Sequence, residues 1–314
     1  MNKIKTFDFS VIGGDERTSY MAVLLAEKGF NVACYETAHK VSSDKILHTD
    51  SLKEAVTNSA TVITGIPCIR NNILETRNKE HQICADKLLS LLSPKQNFFG
   101  GVIPDSFRKS CEIKGIKCID YMKDETLTIR NAVYTAEGPI AEAILHSPQA
   151  LHGCRTLILG YGRCGKVLAD KLQGLSAYVT VCSDSQIELA YADSLGFSTL
   201  SLSDLSDNIR QFAYIFNTIP ACILNSTCLK LLDNNTIIID IASNKCGADY
   251  NTAKILDTKL YYCPGLPGKY AYESCGNDLV DYTLKTLNKI KQQTEPSLIM
   301  NQETCKLRAA MSKS

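Results

Sequence analysis

The sequence predicts an α/β protein built from two Rossmann-like, doubly wound parallel-sheet domains with a cleft between them. Three observations predict it. The chain has 314 residues with ordinary hydrophobic (45%) and charged (21%) fractions, enough to bury the cores of about two domains. Short apolar runs alternate with helix-length amphipathic stretches, in two successive series. In the second series a strand runs directly into a glycine-rich turn and then a helix.

In the first series Phe7–Ile12, Asn31–Tyr35, Ala60–Thr64, Asn97–Phe99 and Lys117–Ile119 read as strands. Thr18–Lys28, His81–Leu92 and Phe107–Lys114 have the length and periodicity of helices, which makes residues 1–135 a Rossmann-like substrate or partner domain. Thr135, Glu137 and Pro139 open a helical pattern through Ile140 and Ile144, with cap chemistry and proline in the first turn. An interdomain helix over 136–152 is therefore expected. The second series, Thr156–Leu159, Tyr178–Cys182, Ser198–Leu200, Tyr214–Asn217, Thr236–Ile241 and Leu260–Cys263, defines a nucleotide-binding domain over 153–270. Leu279, Val280, Leu284, Leu287 and Ile290 share one face of a helix over 271–292, expected to return to the first domain, and a polar tail follows over 293–314.

Composition removes several function classes. Lysine and arginine (34) nearly balance aspartate and glutamate (33) without long like-charge runs, so a nucleic-acid partner is not expected. No stretch approaches a membrane span, and the first residues are too short and too interrupted for a signal peptide. The fourteen cysteines sit singly, mostly in apolar surroundings, and none forms a Cys-x-x-Cys pair. That pattern points to reduced thiols in a cytoplasm, with no metal site.

The chemistry concentrates on Gly160-Tyr161-Gly162-Arg163-Cys164-Gly165, which follows Thr156–Leu159 and leads into a helical stretch and the strand at Tyr178–Cys182. The first glycine permits the tight turn, the second lets the backbone approach a pyrophosphate, and the third lets helix and strand pack closely. Amides at the helix N-terminus then meet the phosphate charge. This predicts an NAD or NADP site. The second strand ends in Ser183 and Asp184, of which the first suits a 2′-phosphate and the second repels one, so both cofactors stay open.

Further turns follow the later strands, where ligands of such sheets lie. Asn217-Thr218-Ile219-Pro220 is placed to touch ribose or nicotinamide, and Asp240-Ile241-Ala242-Ser243 ends the next strand in the same plane, with Asp240 a candidate base and Ser243 a candidate cofactor contact. Pro264-Gly265-Leu266-Pro267-Gly268-Lys269 lets backbone come close at Gly265 and offers Lys269 to a substrate carboxylate. In the first domain Gly13-Gly14-Asp15-Glu16-Arg17 lacks the full glycine spacing, so no second dinucleotide is expected there. Asp15 suits a helix cap or a functional role, and Arg17 a carboxylate fork. All five histidines, at 39, 48, 81, 146 and 152, precede the nucleotide-binding series. A proton acceptor must therefore be a carboxylate, lysine, tyrosine or water.

Taken in order, Gly13-Gly14-Asp15-x-Arg17, Glu137-Gly138, Gly160-Tyr161-Gly162-Arg163-x-Gly165, Asn217-Thr218-Ile219-Pro220, Ile239–Ser243 and Pro264–Gly268 make the chain resemble the A subunits of bacterial dipicolinate synthases, over roughly residues 7–290. The resemblance implies oxidation of a dihydrodipicolinate, formed from 4-hydroxy-tetrahydrodipicolinate, to dipicolinate during sporulation, in the mother-cell cytoplasm. It also implies a partner, the flavoprotein-like B subunit, and leaves room for a homo-oligomer. Ser183-Asp184 departs from the alanine-arginine pair of NADP-preferring members. A planar dicarboxylate needs donors at both ends, for which Arg17 and Lys269 are candidates. The competing readings are another dehydrogenase of a small carboxylate, of the 2-hydroxy-acid or shikimate type, and a nucleotide-binding subunit without its own catalysis.

Overall fold

A computed structural model describes residues 7–76 and 82–294 of the chain. His81, at the start of one expected helix, and the polar tail beyond Thr294 lie outside the described residues. The described residues form two compact units: those up to Tyr121 together with those from Gly276 to Thr294, and Met122–Cys275.

The first unit contains β1 (Phe7–Ile12), α1 (Glu16–Glu27), β2 (Val32–Tyr35), β3 (Ile46–His48), α2 (Leu52–Thr57), β4 (Ser59–Thr64), a small antiparallel pair β5 (Ile69–Arg70) and β6 (Ile73–Leu74), α3 (Ala85–Leu91), β7 (Asn97–Gly100), α4 (Asp105–Ile113) and β8 (Lys117–Asp120). Its six-stranded sheet is parallel throughout, in the order β3-β2-β1-β4-β7-β8.

The second unit contains α5 (Glu125–His146), then β9 (Arg155–Leu159), α6 (Arg163–Gly174), β10 (Tyr178–Ser183), α7 (Gln186–Ser194), β11 (Ser198–Ser201), α8 (Leu205–Asn208), β12 (Tyr214–Asn217), α9 (Ser226–Lys230), β13 (Ile237–Asp240), α10 (Tyr250–Ile255), β14 (Leu260–Tyr262) and α11 (Leu266–Tyr270). Its sheet repeats the topology of the first, β11-β10-β9-β12-β13-β14, again all parallel. Both sheets are therefore doubly wound, with the reversal of strand order beside β1 and beside β9. The last helix, α12 (Tyr272–Thr294), passes from the second unit into the first after Cys275. Within the first unit its Thr283 meets the buried Tyr121 hydroxyl at 2.8 Å.

Period-two alternation builds the core of the second unit. Ile158, Val181, Phe216 and Ile239 enter one hydrophobic cluster, while their neighbours Leu157, Cys182, Ile215 and Ile238 enter another on the opposite face. Burial on both faces is what a parallel sheet covered by helices requires, and it explains the near-continuous apolar runs in the sequence.

Two expectations need correction. The helix expected from 136 starts at Glu125, because Asp124 caps it by accepting the Leu127 N–H at 2.9 Å. The boundary between units accordingly falls after Tyr121, not at 135. Pro139 lies inside the helix, and the Thr135 hydroxyl turns back to the Asn131 carbonyl (2.7 Å) instead of capping a new first turn. Gly138 has its own reason, since a Cβ there would stand 2.5 Å from Leu266 Cβ on α11. The second is an addition, the edge strand β3, absent from the expected strands because three residues carry too little periodicity to mark it.

Candidate functional site

β9 ends in the glycine turn, and each glycine answers to a different constraint. Gly160 adopts φ +91°, and its N–H donates to the Cys182 carbonyl at 2.8 Å. A side chain there would meet Thr218 Oγ1 at 2.6 Å. At Gly165 a Cβ would lie 2.2 Å from the Gly160 carbonyl oxygen, so α6 can seat on the turn only without one. Gly162 differs from both. Its φ of −73° suits any residue, and a Cβ would meet nothing within 4 Å. Neither the fold nor the packing of the protein requires glycine there.

Gly162 is also the N-cap of α6, and no side chain caps that helix. Its first amides thus offer hydrogen bonds and the positive end of the helix dipole to an anion. These features fit a dinucleotide pyrophosphate. The side chains between the glycines have partners of their own. Tyr161 is buried in the core with its ring near Phe197, and burial pushes its phenol pKa up. Arg163 forks onto Glu125 at 2.9 and 2.7 Å in an exposed pair, and burial raises the Cys164 thiol, opposed by a hydrogen bond from Thr135. Tyr161 is thus committed to the core and Arg163 to an exposed ion pair.

The turns after β12 and β13 form one buried network. Asn217 Nδ2 donates to Asp240 Oδ1 at 3.0 Å, and its Oδ1 accepts the Ile219 N–H at 3.1 Å. Thr218 Oγ1 donates to the Leu159 carbonyl at 2.9 Å, tying this turn to the glycine turn. Asp240, fully buried, also accepts the Ala242 N–H at 2.9 Å and the Tyr250 hydroxyl. Burial and the neighbouring Asp240 carboxylate push the Tyr250 phenol pKa well up. Asn217, Thr218 and Asp240 therefore hold the strand ends in place. Pro220, Ser243 and Gly265 are exposed on the same unit, with Ile219 half-buried. Asn244 and Lys245, next to Ser243, both take left-handed backbone conformations (φ +64° and +52°).

Ser183 ends β10 almost completely buried, while Asp184 is exposed. The Ser183 hydroxyl donates to Glu188 Oε2 at 2.6 Å and accepts the Ser185 N–H at 3.1 Å. Sequence reasoning missed Glu188, although Ser185-x-x-Glu188 has the spacing of a capping box and opens α7. It also missed Glu142, which engages the candidate Lys269: the ammonium meets Glu142 Oε1 at 2.7 Å, beside the Tyr270 hydroxyl at 3.0 Å. That pairing raises the Lys269 pKa.

Burial alone would raise the Glu142 pKa, but its bonds to Lys269 and Tyr270 outweigh it and hold the carboxyl below the ordinary 4.5. A depressed carboxylate stabilises the fold fully above its unfolded pKa, and that contribution is lost as pH falls through the lower folded value. Glu142→Gln should accordingly flatten the loss of stability on acidification below about 4.5. Urea unfolding at stepped pH measures it; an unchanged acid limb would contradict the pairing.

The glycine turn of the first unit is built differently. The Gly14 N–H donates to the Glu75 carbonyl at 2.8 Å, and a Cβ on Gly13 would lie 2.4 Å from that same oxygen. The chain itself therefore occupies the place where a phosphate would approach. Asp15 caps α1 through the Arg17 N–H and also takes the Arg17 guanidinium on both oxygens (2.7–3.1 Å), while Arg17 Nη2 reaches the Ile66 carbonyl at 2.8 Å. Arg17, nearly buried, thus braces β4's following turn within its own unit.

Residues 8–122 match the family model for the N-terminal domain of the dipicolinate synthase A subunit. A curated relative, the dipicolinate synthase A subunit of Bacillus subtilis (strain 168), is 32% identical over 177 residues, covering 56% of this chain and 60% of the relative. The solved structure of the corresponding dipicolinate synthase polypeptide from Bacillus subtilis superposes with a TM-score of 0.75 at 25% identity, over 93% of this chain and all of that one (100%). The family model, the curated relative and the solved structure all support the family of dipicolinate synthase A subunits. The match to the curated dipicolinate synthase subunit extends over less than two thirds of its length. An L-alanine dehydrogenase, 12% identical over 89% of this chain and 90% of its own, shares the fold with a TM-score of 0.55. The chain thus shares its fold with that dehydrogenase, and no helix among its described residues is long and apolar enough to cross a membrane.

Proposed function

We propose that this chain is the nucleotide-binding, catalytic subunit of a dipicolinate synthase, oxidising a dihydrodipicolinate to dipicolinate with NAD or NADP in the cytoplasm of a sporulating cell. The observation that carries the reading is Gly162, a glycine the protein's own packing does not need, at the uncapped N-terminus of α6. Family membership supports the substrate, and the dehydrogenase-type fold supports the reaction class. A bound nicotinamide dinucleotide supplies the hydride acceptor.

This chain's residues do the rest. Backbone at Gly160, Gly162 and the first turn of α6 binds the pyrophosphate, while Thr218 and the Asn217–Asp240 network fix the turns beside it. The ring becomes aromatic on oxidation, so positioning carries most of the catalysis and the departing proton can pass to water. Asp240 is assigned a holding role, since each oxygen already accepts buried donors. Lys269 remains the second unit's candidate for a substrate carboxylate, exchanging its internal acid partner Glu142 for the substrate, and Arg17 stays paired with Asp15 within the first unit.

Those internal pairs also favour a second reading, in which this chain holds nucleotide and a B-type partner contributes the chemistry. Freshly generated 4-hydroxy-tetrahydrodipicolinate should be supplied with NAD or NADP, with and without the partner, and dipicolinate absorbance followed. Product from this chain alone supports the first reading. Product only with the partner, undiminished by Gly162→Asp, contradicts it, and no product in any combination contradicts both.

A further inference from the structure

We propose that this site selects NAD over NADP, with the Glu188 carboxylate, set by Ser183, as the group that accepts the adenosine ribose. The inference rests on the reading of the Gly160–Gly165 turn as a dinucleotide site and adds which dinucleotide it takes.

In a doubly wound nucleotide-binding sheet the end of the strand next to the glycine turn meets the adenosine ribose, and an acid there accepts the 2′-hydroxyl. In this chain that strand is β10, paired with β9 from Tyr178↔Arg155 to Cys182↔Leu159. It ends in Ser183, which by itself would admit a phosphate. Ser183 is only 2% exposed, however, and its hydroxyl is fully engaged, donating to Glu188 Oε2 (2.6 Å) and accepting from the Ser185 N–H (3.1 Å). Glu188 is fixed from its other end as well, its N–H donating to Ser185 Oγ at 3.3 Å in the first turn of α7. The acid missing from the strand end is thus supplied from five positions along the chain, through a serine. Among the described residues no donor reaches the second oxygen, Oε1. A half-buried carboxylate fixed in one rotamer with one free acceptor suits a ribose diol and opposes a phosphate dianion.

The surroundings reinforce that sign. From Leu172 to Ile209 the sequence has no lysine, arginine or histidine, but it has Asp184, Glu188, Asp193, Asp204 and Asp207. Asp184 and Asp204 stand near enough to Cys182 at the end of β10 to add to the effect of burial in pushing that thiol up to about 12. Each cation on the adjoining α6 has a partner: Lys166 Nζ lies 4.7 Å from the centre of the Tyr191 ring on α7, Arg163 is forked onto Glu125 and Lys171 meets Glu137 at 2.9 Å. A 2′-phosphate would enter a field of carboxylates and would have to draw Lys166 off that ring to gain a cation.

The test is equilibrium titration of the whole chain with NADH and with NADPH, read by nicotinamide fluorescence; the chain contains no tryptophan to interfere. NADH should bind more tightly by on the order of 10²-fold, the scale of one fixed like-charge contact. Glu188→Gln should cut that ratio to roughly tenfold or less, mainly by strengthening NADPH. Ser183→Ala, which frees Glu188 from its setting, should narrow it as well. A merely structural loss would weaken both nucleotides together and leave the ratio standing. NADPH binding as tightly as NADH in the parent, or a ratio unmoved by Glu188→Gln, overturns the proposal. Failure of both nucleotides to bind overturns the dinucleotide reading beneath it.

Discussion

Gly162→Asp is expected to leave the melting temperature within about 2 °C of the parent while abolishing measurable nucleotide binding, and Gly165→Ala is expected to damage the fold. At 162 the backbone conformation is open to any residue and no atom stands within 4 Å of a new Cβ. Aspartate is moreover among the best N-cap residues, replacing glycine there with a gain of a few tenths of a kcal/mol. Its carboxylate would lie over the same α6 amides that a pyrophosphate needs and would repel the phosphates. At 165 the new methyl would sit 2.2 Å from the Gly160 carbonyl oxygen, which is backbone and cannot rotate away. Overpacking of that kind costs about 1–3 kcal/mol, more than the better helix propensity of alanine returns. Thermal melts of the two variants, followed by nucleotide titration of whichever folds, measure the contrast. Equal loss of stability in both would mean that the turn is only a structural junction.

Asp240→Ala is expected to be the more destructive of the carboxylate replacements, lowering stability by roughly 3–5 kcal/mol. It would strip acceptors from the Asn217 amide, the Ala242 N–H and the Tyr250 hydroxyl at one fully buried point. The cavity cannot fill easily, because Gly247 packs so close that a Cβ on it would touch both Asn217 and Asp240. A general base would give a different result: a stable protein with turnover reduced by about 10²–10⁴. Urea unfolding of Asp240→Ala and Asp240→Asn, alongside single-turnover rates, separates the two. An unchanged unfolding midpoint with a collapsed rate would restore Asp240 to the chemistry.

The sheets were legible in the sequence because parallel strands covered on both faces leave apolar runs that few other structures produce. Every strand of the two large sheets except β3 coincides with an expected strand to within about a residue at each end; β3, only three residues long, is too short to leave a periodic mark. The start of α5 was not legible because Thr135-x-Glu137-x-Pro139 imitates a helix beginning, and only packing against Leu266 shows the helix continuing through it. At the site, the glycine turn was legible because its spacing is dictated by backbone geometry. The side-chain assignments at Asp240, Lys269 and Arg17 were legible as residue types but not as partners. Which acid or amide engages each one depends on contacts between distant segments, such as Glu142 with Lys269. Glu188 lay between these cases, visible as the fourth residue of a capping box but not as the partner of a strand-end serine.

On the proposed function only one of the two topologically alike units carries the dinucleotide, and the stoichiometry of binding tests that claim most directly. Glu75 already satisfies the Gly14 amide in the first unit, while no side chain caps α6 in the second. Isothermal titration of the whole chain with NADH should give one equivalent per chain, lost in Gly162→Asp and kept in Asp15→Asn. Two equivalents, or one that survives Gly162→Asp, would contradict it.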